Sequence, residues 1–532
     1  MIIVKEIATG VAIFDSGGGR YYNQEKYRLK NAIHIDKLTA LTATTQHRRV
    51  KETHAKALGR PIHRPESVAL KGQNLDSARS SQSNSRYALT MVKVDNIGND
   101  GKRASSYYIG ARSGRVSDQK ESNFTIQDLS EWIDTVDNHI NSGEHAGRLI
   151  KSYAQPLEER PQSLILSVLL DFTDLESSRP VRAGIIYPDF YYIEVVNNEF
   201  RLMAEHETIT LTLVYHSEDV RFEIALSGPS VGVMDFDWIV DHLNFSSRLK
   251  VLFENGATYL DGHFYKLSLP YEQGVDPKDS WAGNALYELS DLLNPILKEK
   301  GLMEERKYVG TTNHGFDPTS VFFLLDKLKE YGNPNTALSA LGPFANYIPG
   351  CDFVFCCDMG TEPADFIISS PEKLCFVHVK CGTADNPQSS AGALAEVGSQ
   401  AIKNIHMLVS TNDEIKPGNF NIWDNRWPSA GAEHSIETRY RLFDGQINKP
   451  VPVGGSLSQN AWELICERRR SLRCKKEIWV VSANAFSKNH FVTNLSDPLT
   501  SLPETIQAYQ LIEDWLSTAE ELDVDLKFFV SE

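Results

Sequence analysis

The stretch CDFVFCCDMGTEPADFIISSPEKLCFVHVK, residues 351–380, reads as three β-strands. An apolar run covers Asp352–Cys357, a second opens at Ala364, Asp365, Phe366 and Ile367, and a third covers Leu374–Cys381. Asp365 opens the second strand, and Lys380 lies near the end of the third, 15 positions later. A carboxylate and a lysine at the tips of adjacent strands are the minimum equipment for metal-assisted phosphodiester hydrolysis. The carboxylate holds a hard cation through oxygen. The cation polarises the phosphate and lowers the pKa of its water. The lysine orients that water or neutralises developing charge. His378 and Lys380 are two residues apart, which puts both side chains on one sheet face, with Val377 and Val379 on the core face.

The flanks extend this into an α/β segment over residues 275–532. Asp279 and Ser280 can cap a helix running through Lys298, with Ala285, Leu289, Leu292 and Ile296 inward. Asp317-Pro318 starts a second helix, with Val321, Leu324, Leu325 and Leu328 inward. After the three strands, 391–410 reads as a helix on which Glu396, Gln400 and Lys403 or Asn404 share a face. Glu477–Ala483 is a further strand, Thr505–Leu516 an amphipathic helix, and Leu526–Val530 a last strand.

At these residues the chain resembles the PD-(D/E)xK nuclease superfamily, the restriction-endonuclease-like fold. That family has an Asp at the start of one strand and an acid-x-Lys on the next, followed by a helix that often carries a Gln. Asp365 matches the first Asp, Lys380 the lysine and Gln400 the helix glutamine, while His378 stands where the acid should be. The resemblance covers about the C-terminal half of the chain. It implies a core of αβββαβ order, a mixed sheet flanked by helices, within a multidomain α+β protein. It also implies a metal-dependent nuclease, with Asp365, His378, Lys380 and Gln400 catalytic and Mg2+ or Mn2+ as cofactor. If the missing acid is relocated, Glu362 is the first candidate to join Asp365 and His378 on the metal, and Asp358 the second.

The sequence around DMGTEPADFI and HVK is similar to nuclease modules that accompany bacterial helicases in anti-phage defence. DNA is the implied substrate, with RNA not excluded, and an endonuclease the implied activity. The chain has no GK[ST] phosphate loop, so a helicase or ATPase would have to be a separate subunit. His378 admits three readings. As a metal ligand it would bias the site towards manganese. It could instead be a general acid or water-orienting group, or mark a decayed site that binds nucleic acid or scaffolds a complex. Lys403 is a candidate phosphate contact.

Arg468, Arg469, Arg470 and Arg473, with Lys475 and Lys476, form the densest basic run and are candidate backbone-phosphate contacts. Trp423 and Trp427 could stack on unpaired bases or pack within their loop. The net charge is −16. Residues 1–125 carry 21 Lys and Arg against 11 Asp and Glu, a net of +10, and the remainder carries 33 against 59, a net of −26. That asymmetry suits a nucleic-acid-touching arm on an acidic body. The 7 cysteines include no CxxC pair, and adjacent Cys356 and Cys357 point to opposite strand faces, which disfavours zinc. An odd cysteine count and the lack of a signal-peptide pattern or an apolar run of about 18 residues lead to the expectation of a cytoplasmic chain without membrane spans.

The remaining chain divides into an expected basic α+β domain at 1–155 and a β-rich domain at 156–274. Strands are expected at 2–14, 87–95 and 105–110, a polar loop over 60–86, and a helix at Thr125–Asn141 capped by Thr125. Gly17-Gly18-Gly19 reads as a hairpin turn. Leu164–Phe172 is a buried strand, and Thr208–Val214 with Val220–Leu226 form a hairpin with one buried face. Asp237–Leu243 is a short helix, and strands are expected at Val251–Phe253 and Phe264–Leu269.

Overall fold

In the computed structural model the described residues are 2–7, 10–15, 40–42, 47–59, 66–75, 84–98, 101–110, 115–118, 125–142, 147–157, 159–172, 181–182, 185–187, 190–204, 207–217, 220–227, 236–244, 248–266, 276–278, 280–289, 316, 320–358, 360–382, 386–428, 435–497 and 499–532. They form a mixed α+β chain in two compact units, Met1–Gln273 and Gly274–Glu532.

The second unit is built on one sheet. Its strands are β1 (Leu286–Glu288), β2 (Phe353–Cys356), β3 (Phe366–Ser370), β4 (Lys373–Val379), β5 (Tyr440–Phe443), β6 (Gln446–Ile447), β7 (Lys475–Ser487) and β8 (Val524–Ser531), in the spatial order β1-β8-β7-β4-β3-β2-β5-β6. The first four in that order run parallel, and the ladders from β4 outward to β6 are antiparallel. Antiparallel β2, β3 and β4 need only short connections. The parallel step from β4 to β7 needs a crossover, which carries helices α3 (Ala391–Val409) and α4 (Ser458–Arg470). Helices α5 (Lys488–Leu495) and α6 (Pro503–Glu521) link β7 to β8.

One sheet face packs Cys356, Phe366, Val377, Val379 and Val481 against α2 (Val321–Asp326) and the aromatic rings of Phe316, Phe344 and Trp427. The strand periodicity puts Phe376 and His378 on the other face, where α3 packs on β4 and β7. Helix α3 lies so close to α6 that a Cβ on Gly398 would meet the Trp515 ring at 2.2 Å, and only glycine permits that approach.

Two buried carboxylates hold the far parts of this sheet. Glu477 is opposed by burial but drawn well into its charged form by Lys527 at 2.7 Å and Lys373 at 2.9 Å. Asp326 pairs with Arg441 at 2.6 Å.

The segment after Ser280 differs from the expected long helix. Ser280 does cap, accepting the N–H of Gly283, but the helix α1 (Trp281–Ala285) ends at once. The chain then becomes β1, because the edge of β8 offers a parallel ladder in which Leu286 faces Phe528. Leu292 and Ile296 lie outside the described residues. Val321, Leu324, Leu325 and Leu328 are buried, with Ser320 as the cap of α2.

In the first unit, a five-stranded antiparallel sheet has the order Ser67–Lys71, Arg48–Ala57, Tyr87–Ile97, Arg103–Gly110, Arg115–Asp118. The helix Ile126–Ile140 packs on it, closed by a capping box between Thr125 and Asp128. The strand Ser67–Lys71 falls where the sequence suggested a polar loop. Its alternation is short, and it is fixed by pairing with Arg48–Ala57. A four-stranded and a seven-stranded sheet enclose a second core, with Leu211, Phe222 and Ile224 meeting Val168, Val251 and Phe264. The two segments expected as separate domains share a core of their own: Leu58, Ala88 and Ala154 pack with Leu260 and Tyr265. The Gly17–Gly19 turn lies outside the described residues.

Candidate metal centre

The loop 357–365 joins β2 to β3. Its neck is closed by the N–H groups of Cys357 and Asp358, which both donate to Asp365 O, at 2.8 and 3.1 Å. Trp427 Nε1 and Arg439 Nη1 donate to Asp358 O at 2.6 and 3.1 Å. Asn404 Nδ2, from α3, donates to Glu362 O at 3.1 Å. At its turn the chain takes positive φ at Gly360 (34°) and Thr361 (56°). For a β-branched residue such as Thr361 that conformation is strained, and strain of this kind collects at functional loops. Gly418 backs the turn: a Cβ there would sit 3.0 Å from Thr361 Oγ1.

These contacts bring Asp358, Glu362 and Asp365 together, each offering a carboxylate oxygen within 4.8 Å of the others. Asp358 and Asp365 are buried, at 2% and 7% exposure. Glu362 is half-buried, and its Oε2 is out of contact with solvent and has no hydrogen-bond partner among the described residues. Asp365 Oδ2 also accepts the N–H of Val379 at 2.7 Å. Three close carboxylates repel one another unless a cation or protons intervene. An all-oxygen donor set with an orphaned buried oxygen fits a hard divalent cation such as Mg2+ or Mn2+. The neighbouring thiols are not among the grouped ligand atoms, and burial pushes Cys357 up to about 12 and Cys356 well above the usual thiol range.

His378 does not join the three carboxylates. It is 3% exposed, its Nε2 has no hydrogen-bond partner among the described residues, and burial holds its imidazole down to about 4. It is therefore neutral at pH 7. Lys380 lies one residue past β4, its N–H bonded to Val481 O at 2.8 Å and its Nζ paired with Glu396 at 2.9 Å. Gln400 is exposed on α3, one turn from Glu396 and one turn from Asn404, so the face that reaches Lys380 at one end and the Glu362 loop at the other carries it. Lys403 is exposed on the same helix.

The basic run stands elsewhere. In the parallel ladder Lys475 faces Lys373 and Val481 faces Val379, so the run lies at the opposite end of β4 from Lys380, about 20 Å away. Several of its members are also paired with acids. Arg468 pairs with Asp352 at 2.8 Å, Arg473 with Glu372 at 4.0 Å, Arg470 with Asp413, and Lys475 with Asp525. Arg469 is enclosed, donating to Met407 O at 3.1 Å and lying over the Trp462 ring. Its side chain has no solvent exposure, so its guanidinium is not presented to a phosphate. Trp423 and Trp427 are buried and take the packing role rather than stacking on bases. Sequence reading missed Trp427 and Arg439 as supports of the loop, and nothing local marks them. Asn404 was legible as a neighbour of Gln400 on one helix face.

No protein-family model, curated protein or solved structure matches the chain. Among the described residues no helix is long and apolar enough to cross a membrane.

Proposed function

We propose that the second unit is a restriction-endonuclease-like domain that hydrolyses phosphodiester bonds in DNA with Mg2+ or Mn2+. The observation that carries this reading is the convergence of Asp358, Glu362 and Asp365 beside the end of β4, one residue before Lys380. Asp358, Glu362 and Asp365 would hold the cation. When bound, it supplies Lewis acidity towards a phosphate oxygen. The Lys380 ammonium, at the rim, meets the scissile phosphate and offsets charge that develops on it. Gln400, on the adjoining helix face, would orient the attacking water. His378 stays neutral, so it brings no positive charge to compete with the cation. The resemblance that motivates DNA also motivates a cytoplasmic anti-phage setting with a separate helicase or ATPase, and these are part of the same proposal.

A second reading, a nuclease fold without activity that binds nucleic acid or scaffolds a complex, draws support from His378, which stands where the resemblance expects an acid and is buried. One experiment divides the two: supercoiled plasmid, linear DNA and RNA, each incubated with wild type and Asp365→Asn in EDTA, Mg2+ or Mn2+. Cation-dependent cleavage lost in Asp365→Asn supports the nuclease. Retention of DNA in a gel shift without cleavage supports the second reading.

A further inference from the structure

The Lys380–Glu396 pair, at 2.9 Å, is on the solvent side of the site, with side-chain exposures of 40% and 58%. Lys380 is the one hydrogen-bond partner of Glu396 among the described residues. Glu396 rides on α3, the helix that fixes the Glu362 loop through Asn404. The same rigid element therefore supports the acidic group and occupies the lysine. Because the pair is exposed, it does little for folding.

We propose that Glu396 is an electrostatic gate on Lys380, holding its ammonium until an incoming phosphodiester displaces the carboxylate. The identity of that anion rests on the nuclease reading above. Glu396 is a positioning residue that acts through Lys380. Exposed ion pairs are weak, so displacement should cost only about two- to five-fold in affinity. The cost is met once for each phosphodiester that reaches Lys380, so it lowers the affinity of short and long substrates by a similar factor.

The test uses the full chain and Glu396→Gln. In metal-free protein, Lys380 should react with an amine-acylating reagent about two- to five-fold faster in Glu396→Gln, as read by peptide mass spectrometry. Equal labelling overturns the gate. With Mn2+, Glu396→Gln should lower KM for thymidine 5′-p-nitrophenyl phosphate and for a long duplex by a similar factor at unchanged kcat. An unchanged or raised KM on both substrates overturns it. Glu396→Asp, which keeps the charge on a shorter arm, should fall between. If wild type hydrolyses neither substrate the nuclease reading fails, and the labelling result alone then decides the gate: faster in Glu396→Gln keeps it, equal removes it.

Discussion

Asp365 Oδ2 accepts the backbone N–H of Val379 at 2.7 Å, while the N–H of Asp365 donates to Val377 O at 2.9 Å. One residue thus grips β4 on both sides of His378. A carboxylate that would otherwise swing is tied to the backbone of the strand that leads into Lys380, so hydrogen bonds to main-chain groups set the acid's place beside that strand end. Such preorganisation matters because a catalytic group displaced by about 1 Å can lose about 100-fold in rate.

Asp358→Asn, Glu362→Gln and Asp365→Asn should each weaken Mn2+ binding by about 100-fold or more, since even groups that only support metal ligands cost about 10- to 100-fold. Titration calorimetry reads the affinity. The melting temperature of the metal-free protein should be unchanged or higher, because each change removes like-charge repulsion. A large drop in stability with unaltered Mn2+ affinity would make the three residues structural.

The His378 imidazole is depressed from an ordinary 6.5 to about 4 by burial, so the unfolded chain binds more protons than the native one between those values. Stability from this group is present above pH 6.5 and is lost as pH falls towards 4. Between pH 7 and pH 5 the loss should be about 2 kcal/mol. Urea unfolding of wild type and His378→Gln at the two pH values checks it: the wild type should show the extra loss and the variant should not.

Gly418→Ala places a methyl group 3.0 Å from Thr361 Oγ1 and 3.1 Å from its Cβ. The strained turn must shift, and with it Glu362. The expected outcome is about 1 kcal/mol of destabilisation together with a several-fold loss of Mn2+ affinity, although Gly418 carries no ligand atom. Unchanged metal binding would show that the turn does not set the carboxylates.

Removing residues 1–273 should leave a folded second unit, since 274–532 has its own sheet and core. The loss of the net +10 carried by residues 1–125 should weaken DNA binding and flatten its salt dependence. Binding titrations at several salt concentrations read both. Identical affinity and slope would assign that charge to a protein partner or to solvent. A cut at residue 150 should misfold what is left of the first unit, because it parts Leu58 and Ala88 from Leu260 and Tyr265.

The sequence by itself determined what local chemistry dictates. The apolar runs of β2, β3 and β4, the Thr125 cap and the long helix α3 follow from periodicity and from side-chain hydrogen bonds to nearby backbone. Asp365 and Lys380 were legible because a charge at the tip of an apolar strand stands out. Glu362 and Asp358 were legible as candidates through their nearness in sequence. Tertiary structure alone decided that these two converge with Asp365 while His378 does not, since the loop is folded by Trp427, Arg439 and Asn404, each at least 40 positions away. It also decided that the basic run stands at the wrong end of β4 and is paired with acids, that Leu286 leaves its helix for a ladder with Phe528, and that the first 273 residues share one compact unit. Each of these depends on contacts between residues far apart in the chain, whose loop-closure cost and packing gain leave no local trace.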